Sequence, residues 1–256
     1  MTTTKDRGGR LLFAATILTG SFLLFLVQPM IARIALPRLG GAPAVWNSAM
    51  LVYQALLLAG YGYAHLLTRL APRRQGQVHL ALLLGACLFL PIGLSDRVLP
   101  ATADPALWVP YLFAVSIGPL FFAVSAQAPL MQRWFALVRP GTDPYPLYAA
   151  SNLGSFAGLL AFPLLVEPLM TVTRQRWLWS GGYLLLVLLV LACMVRLPRG
   201  HVAAVETPSG PAPSRAQVAM WVLLGLVPSG MMLATSTFIS TDLLAMPLLW
   251  VVPLAL

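Results

Sequence analysis

Long uninterrupted apolar runs restrict this chain more than any other feature of its sequence. The run "LLFAATILTGSFLLFLVQPMIARIAL" at 11–36 is followed closely by "LVYQALLLAGYGYAHLL" at 51–67. About 18 or more apolar residues in a helix are enough to cross a hydrocarbon layer roughly 30 Å thick. The 256-residue chain is 59% hydrophobic and only 9% charged, which is too apolar for a soluble domain. Because a backbone in lipid must satisfy its hydrogen bonds within its own segment, we predict an all-α integral membrane protein built as a multi-span helix bundle.

The positions of the apolar runs predict the membrane spans. They are 11–35, 44–67, 78–94, 107–130, 147–166, 177–195 and 217–238. Another run begins near Met246 and continues for about eleven residues, fewer than a bilayer crossing requires. We therefore expect the sequence to stop within an eighth span and to be part of a longer protein.

A polar, proline-rich stretch separates the first six predicted spans from the rest. Its sequence, "RLPRGHVAAVETPSGPAPSRAQ", has the composition of a flexible linker. We predict a six-helix transmembrane bundle at 1–195, a cytoplasmic linker at 196–215 and the start of a second bundle at 216–256. Six helices, a linker and further helices form a major facilitator-like layout. The repeated Pro-x-x-Trp of "APAVW" and "MPLLW", at the starts of the second and eighth spans, agrees with two parallel repeats.

The net charge of +9 is explained by membrane topology. Eleven of the 16 basic residues fall on one side of the predicted bundle. These are Lys5, Arg7, Arg10, Arg69, Arg73, Arg74, Arg133, Arg139, Arg196, Arg199 and Arg215. By the positive-inside rule this side is cytoplasmic, and so is the N-terminus. The cations lie in separate short loops, so we expect the lipid bilayer as a partner and no nucleic acid.

The short connection after the first span, "PRLGGAPAVWNSAM", predicts a tight hairpin. Gly40 and Gly41 allow a non-helical turn, Pro43 suits the first turn of the next helix, and Trp46 suits the headgroup level.

Four separated blocks of the sequence suggest a family. They are "FLLFLVQPMIARIALPRLGGAPAVWNSAMLVYQALLLAGYGYAH", "FFAVSAQAPLMQRWF", "DPYPLYAASNLGSFAGLLAFPLLVEP" and "STDLLAMPLLWVVPLAL". Together they resemble the membrane region of bacterial spermidine synthase-like proteins, in which a multi-span region precedes a soluble aminopropyltransferase-like domain. The resemblance implies a bacterial inner-membrane protein with a downstream soluble domain in the same protein.

The chain itself is predicted to be non-catalytic. It has 7 acidic residues and no carboxylate pair suited to deprotonating an amine. We also expect no cofactor and no metal site, so any aminopropyltransferase activity would belong to sequence beyond Leu256. Two functions remain open: a membrane domain that anchors or serves such a downstream domain, and a transporter of a small solute. An ion channel is a weaker third possibility, because the sequence has no visible ring of like charges.

Polar residues within the predicted spans are the candidates for a site, because polar groups in a bilayer usually face the bundle interior. The main candidates are Gln28, Asn47, Gln54, Gln127, Ser151 and Asn152, with His65, Glu167 and Asp242 as further possibilities. Each also has a structural explanation. Gln28 could bond the carbonyl that Pro29 leaves free, and Asn47 and Gln54 could cap or crosslink helices. His65 and Glu167 are expected near the two membrane boundaries.

The segment "YAASNLGSFAG" predicts a close contact between helices. Ala150, Gly154 and Gly158 recur every four residues and therefore share one helix face. Such a face lets two backbones approach each other, so we predict a packing role for it.

Overall fold

The structure is a computed structural model that describes residues 2–40, 42–98, 104–198 and 213–239. Every regular element within these ranges is helical. The chain divides into two compact units, Met1–Val202 and Ala203–Leu256. The all-helical prediction is therefore confirmed for the described part of the chain.

The first unit contains most of the described helices. In chain order they are α1 (Thr2–Leu39), α2 (Pro43–Leu67), α3 (Pro72–Ala86), α4 (Pro105–Ser125), α5 (Gln127–Val138), α6 (Tyr145–Ala161), α7 (Glu167–Leu169) and α8 (Val172–Val195). A 3₁₀ turn at Cys87–Phe89 extends α3, and a π-helical segment at Phe162–Val166 joins α6 to α7. In the second unit, the structure describes α9 (Arg215–Phe238).

Six described segments are long and apolar enough to cross a membrane, judged by length and composition. They are Gly8–Leu39, Ala44–Leu67, Ala106–Val138, Tyr145–Leu169, Val172–Val195 and Arg215–Thr235. These helices agree with the prediction of a multi-pass membrane protein.

The predicted span at 78–94 is not among those six segments, and its boundaries were wrong. The helix begins earlier, at Pro72, and its 3₁₀ extension ends at Phe89. Proline suits the first position of a helix, so the polar residues after Pro72 join α3 and make it less apolar than a typical span. Pro91 then limits its length, because the residue before a proline is disfavoured in the helical conformation.

Other boundaries also differ from the prediction. Helix α1 begins at Thr2, nine residues before the predicted start at position 11. Residues 107–130 do not form an isolated span, because α5 follows α4 after a single residue and continues to Val138. This continuation places Arg133 within a helix. The helix predicted at 177–195 begins at Val172, where the Thr171 side chain accepts a hydrogen bond from the backbone N–H of Arg174. Such capping stabilises a helix start.

The turn between α1 and α2 contains a glycine in the left-handed region. Gly40 has φ +77°, which side chains other than glycine rarely adopt, and its N–H donates to the Leu36 carbonyl at 3.0 Å. The second helix then begins at Pro43. Trp46 is half-buried, whereas Gly41 lies outside the described residues.

Helix α1 forms the centre of the first unit and packs against α4, α5, α6 and α8. Its buried side chains include Phe13, Ile17, Met30 and Ile31. The indole Nε1 of Trp179 in α8 donates to the Leu23 carbonyl in α1 at 2.9 Å. This bond fixes α8 against α1 while satisfying a buried donor.

The basic residues of the first unit collect at opposite ends of the bundle. At one end, the guanidinium groups of Arg139 and Arg196 approach Gly9 near the start of α1. At the other end, Arg33 pairs with Glu167 at 3.4 Å, and Arg38 donates to the carbonyls of Ser95 and Arg97 at 2.9 and 3.2 Å. At each end of the bundle, the ends of helices that are distant in sequence lie together, as expected when successive helices run in opposite directions.

The predicted linker and second bundle lie partly outside the described residues. Residues 199–212 of the linker fall outside the described ranges, as do Asp242 and the predicted eighth span from Met246.

Candidate functional site

A cavity of about 220 Å³ lies between five helices of the first unit. Gly20 and Leu24 of α1 line it, and α2, α4, α5 and α6 contribute the remaining walls. Seven lining residues carry hydroxyl or amide groups: Ser21, Tyr61, Ser125, Gln127, Ser151, Asn152 and Ser155. Among the described residues that line it, none carries a charge. The cavity therefore offers neutral hydrogen-bonding groups inside an otherwise apolar bundle.

Serine hydroxyls connect α1 to α6 at this cavity. The hydroxyl oxygens of Ser21 and Ser151 lie 2.9 Å apart. One turn further along α6, Ser155 donates to the Ser151 carbonyl at 2.9 Å. Asn152, beside Ser151, is exposed and also lines the cavity. The predicted residues Ser151 and Asn152 therefore belong to one site.

Gln127 is the third predicted residue at this cavity, and it is 2% exposed. Its Oε1 lies 2.7 Å from Nε2 of His79 in α3. An amide oxygen can only accept, so the imidazole Nε2 carries the hydrogen in this contact. The other amide atom, Nε2 of Gln127, is buried without a hydrogen-bond partner among the described residues. The amide therefore retains an unused donor at the cavity wall.

A second set of polar groups holds α3 against α5 behind the cavity. The indole Nε1 of Trp134 donates to Oε1 of Gln75 at 3.1 Å, and Nε2 of Gln75 donates to the Leu70 carbonyl at 2.8 Å. The ring of His79 meets that of Trp134 edge to face, with centroids 6.2 Å apart. Gln75 and His79 lie four residues apart on one helix face, so both point towards α5.

Two glycines bring the cavity walls close together. A Cβ at Gly20 would lie 2.9 Å from Cγ of Gln127, and a Cβ at Gly60 would overlap Oγ of Ser125. Both neighbours line the cavity, so the missing side chains at Gly20 and Gly60 let α1 and α2 lie close to its wall. The hydroxyl of Ser125 donates to the carbonyls of Phe122 and Leu56, at 2.8 and 3.3 Å.

The other predicted polar residues lie away from this cavity. Gln28 is buried, and its Nε2 donates to the Leu24 carbonyl at 3.4 Å. Pro29 leaves the Phe25 carbonyl free, and that carbonyl was the expected acceptor. The Gln28 amide donates instead to the carbonyl four residues before it in the same helix. Asn47 and Gln54 are exposed on α2, and neither amide makes a hydrogen bond to a described residue. The interhelical bonds expected of them are therefore absent from the described structure.

The small-residue face of α6 lies directly against α1. A Cβ at Gly154 would lie 3.1 Å from Cα of Leu18, and one at Gly158 would lie 3.1 Å from Cα of Phe22. Ala150, one turn earlier, is half-buried. The two glycines thus allow backbone contact immediately beside Ser151 and Ser155.

Glu167 and His65, the two candidates expected at membrane boundaries, both lie near the ends of helices. Glu167 pairs with Arg33 near the end of α1, and the two side chains remain 28% and 48% exposed, respectively. His65 is exposed in the last turn of α2. Neither residue lines the cavity.

Sequence reasoning missed several residues of the site. Ser21, Ser125 and Ser155 were not singled out, because single serines are common in membrane helices and bond their own backbone. His79 was also missed, although its spacing from Gln75 in a helix beginning at Pro72 could have indicated a polar face. The error in the start of α3 concealed that pattern.

The hydroxyl and amide groups at the cavity are suited to binding a molecule by hydrogen bonds. Within the described ranges, no group of three or more His, Cys, Asp or Glu residues is placed to hold a metal ion. Hydroxyl and amide groups can donate to and accept from an uncharged polar molecule.

Comparisons of the chain with protein-family models, curated proteins and solved structures found no match.

Proposed function

We propose that this chain is a polytopic membrane domain that binds a small uncharged polar solute in the cavity between α1, α2, α4, α5 and α6. The observation that carries this proposal is the gathering of seven hydroxyl and amide side chains at one cavity. Polar groups within membrane helices are costly unless they face an interior or a water-filled space. Solute movement by rocking of helical bundles, as in major facilitator-like transporters, is the corresponding activity.

The chemistry of the wall selects among solutes. Carboxylates in the wall would favour a polyamine or another organic cation, and arginine or lysine would favour an anionic solute. The described lining consists of neutral groups, with Leu24 and Phe25 as apolar surfaces. Polyols, amides and uncharged nucleosides match this lining best.

A thermal-shift screen in detergent tests the proposal. The probes are xylitol and inositol, nicotinamide, adenosine, and the cations putrescine and spermidine. We expect at least one neutral probe to raise the melting temperature of the wild type, and the two cations to have no comparable effect. The double variant Ser21→Ala/Ser151→Ala should lose that shift, because it removes both hydroxyls of the α1–α6 contact.

The matched control is Ser48→Ala. Ser48 bonds the Ala44 carbonyl on α2 and does not line the cavity, so the shift should persist. If the neutral probes give no shift, or if the double variant keeps it in full, the proposed site is wrong. A shift produced only by the polyamines would contradict the neutral-solute assignment.

The second candidate function is a non-catalytic membrane domain that anchors or serves a downstream aminopropyltransferase-like domain. The four ordered sequence blocks that resemble spermidine synthase-like proteins favour it. This role is compatible with solute binding. It also motivates the proposed location, a bacterial inner membrane with the N-terminus in the cytoplasm.

The anchoring role predicts that this chain has no aminopropyltransferase activity of its own. The purified 256-residue chain would be incubated with putrescine and decarboxylated S-adenosylmethionine. We expect no product above a mock preparation, and product formation would place the chemistry within these helices.

A further inference from the structure

Helix α2 carries a line of polar side chains on its exposed face. Asn47, Gln54, Tyr61 and His65 are all exposed. With 3.6 residues per turn, their positions fall within a sector of about 40° around the helix axis. We call these four residues the α2 polar stripe.

The opposite face of α2 is occupied by the bundle. Val52 and Tyr53 are buried, and the Tyr53 ring lies 5.1 Å from the ring of Phe121 in α4, centroid to centroid. Gly60 lies against Ser125 of α4. The polar stripe is therefore not a by-product of packing, because the helix is already anchored through its other side.

The exposed face of α2 is itself divided. Beside the polar stripe lies a sector of small and apolar residues, all exposed: Ala55, Ala59, Gly62 and Leu66. That sector suits contact with lipid tails. The amide, phenol and imidazole groups of the α2 polar stripe do not suit contact with lipid tails. Polar groups that face hydrocarbon are costly, and α2 is long enough to span the membrane.

The polar stripe is continuous with the cavity. Tyr61 belongs to both, since it lines the cavity while remaining 48% exposed. From Asn47 to Tyr61 the helix rises by about 21 Å, most of the thickness of a hydrocarbon layer of about 30 Å. Asn47 and Gln54, which have no hydrogen-bond partner among the described residues, lie fourteen and seven residues before Tyr61, respectively.

We propose that the α2 polar stripe lines a water-accessible route that leads along α2 to the cavity at Tyr61. This inference rests on the proposed function and adds the path by which a small polar solute reaches its site. The amides of Gln54 and Asn47 replace water around the solute at successive depths. The route ends where Tyr61 and Asn152 form the rim of the cavity.

Cysteine accessibility tests the route at matched depths. In a Cys87→Ala/Cys193→Ala background, Asn47, Gln54 and Tyr61 are each changed to cysteine. The controls Ala55→Cys and Gly62→Cys lie on the neighbouring sector, one residue from Gln54 and Tyr61. Each protein is reconstituted in liposomes and treated with 2-sulfonatoethyl methanethiosulfonate. This charged reagent stays in water and reacts with the thiolate.

We expect the stripe cysteines to react about tenfold faster than their matched controls, because a thiol in hydrocarbon stays protonated. Variants are compared only if their melting temperature matches the background, and three stripe positions provide independent tests. Equal rates at Gln54→Cys and Ala55→Cys would overturn the inference, as would the absence of reaction at all stripe positions.

The solute screen separates this inference from the proposed function. Fast labelling of the stripe without any solute shift would leave the water route in place and reject solute binding. A solute shift that depends on Ser21 and Ser151, together with an unlabelled stripe, would keep the site and reject this route.

Discussion

Nε2 of His79 in α3 lies 2.7 Å from Oε1 of Gln127 in α5, and the two residues are 0% and 2% exposed. The bond connects a helix that does not line the cavity to a side chain that does. It fixes the Gln127 amide with its oxygen turned towards α3. The orientation of a cavity-lining group is thus set by a neighbouring helix.

Removing the His79 donor should destabilise the bundle. His79→Leu leaves Oε1 of Gln127 buried and unpaired, a loss of about 1–3 kcal/mol in the free energy of unfolding. His79→Gln should recover much of that stability, since its amide nitrogen can reach a position near that of the imidazole Nε2. Thermal melts in detergent measure both variants. A leucine variant as stable as the wild type would show that the bond is not made.

Adding a methyl group at Gly154 should separate α1 from α6. Gly154→Ala would force Cβ into the backbone of Leu18, and overpacking of this kind costs about 1–3 kcal/mol. The control is Gly62→Ala in α2, where a Cβ meets nothing within 4 Å. That change should be neutral or stabilising by up to about 1 kcal/mol, because alanine favours helix. Equal melting temperatures for the two variants would contradict the close α1–α6 contact.

Arg176 should matter more for stability than the ion pair between Arg33 and Glu167. Its Nε and Nη2 donate to the carbonyls of Ile92 and Pro91 at 2.6 and 3.2 Å, where the chain has left the α3 helix. Arg176→Met should cost about 1.5–3 kcal/mol, the range for hydrogen bonds with a charged partner.

The comparison variant is Glu167→Gln. Because its ion pair is partly exposed, the expected loss is below about 1 kcal/mol. Chemical or thermal unfolding of both variants in the same detergent shows which of the two substitutions causes the larger loss of stability. A larger loss for Glu167→Gln would show that the α1–α7 pair, rather than the Arg176 contacts, holds this end together.

Replacing both exposed amides of α2 should leave the fold intact. Asn47 and Gln54 make no hydrogen bond to a described residue. The free energy of unfolding of Asn47→Ala/Gln54→Ala should therefore lie within about 0.5 kcal/mol of the wild-type value, as is usual for surface substitutions. An interhelical bond would instead cost about 0.6–2 kcal/mol per amide. A marked loss of stability in the double variant would indicate that another protein surface covers this face.

The orientation of the bundle can be tested by reporter insertion. Positions 140–143 connect α5 to α6 at the end where Arg139 and Arg196 approach Gly9. By the positive-inside rule, reporters there and at 199–212 should be cytoplasmic, and a reporter at 99–103 should be on the far side. The interval between the predicted spans 44–67 and 78–94 is less suitable for a reporter, since α3 begins within it at Pro72. A reporter at 140–143 found outside the cytoplasm would reverse the proposed orientation.

The sequence alone determined the helical class of the chain and most of its helix positions. Hydropathy and length are local properties, so "LLFAATILTGSFLLFLVQPMIARIAL" indicates an apolar helix whatever surrounds it. Proline had mixed effects on these predictions. Pro43 marked the start of α2 correctly, whereas the role of Pro72 as a helix start was overlooked and the limits of α3 were wrong.

Only the tertiary structure decided which polar residues share a site. Ser21 and Ser151 are 130 positions apart, and His79 and Gln127 are 48 apart. Many polar residues in these helices have similar local surroundings in the sequence. Gln54 and Gln127 both lie in apolar segments, yet one is exposed on α2 and the other is buried beside His79. The difference arises from the rotation of each helix about its axis and from close contacts such as those at Gly20 and Gly60, and both depend on packing between helices that are distant in the chain.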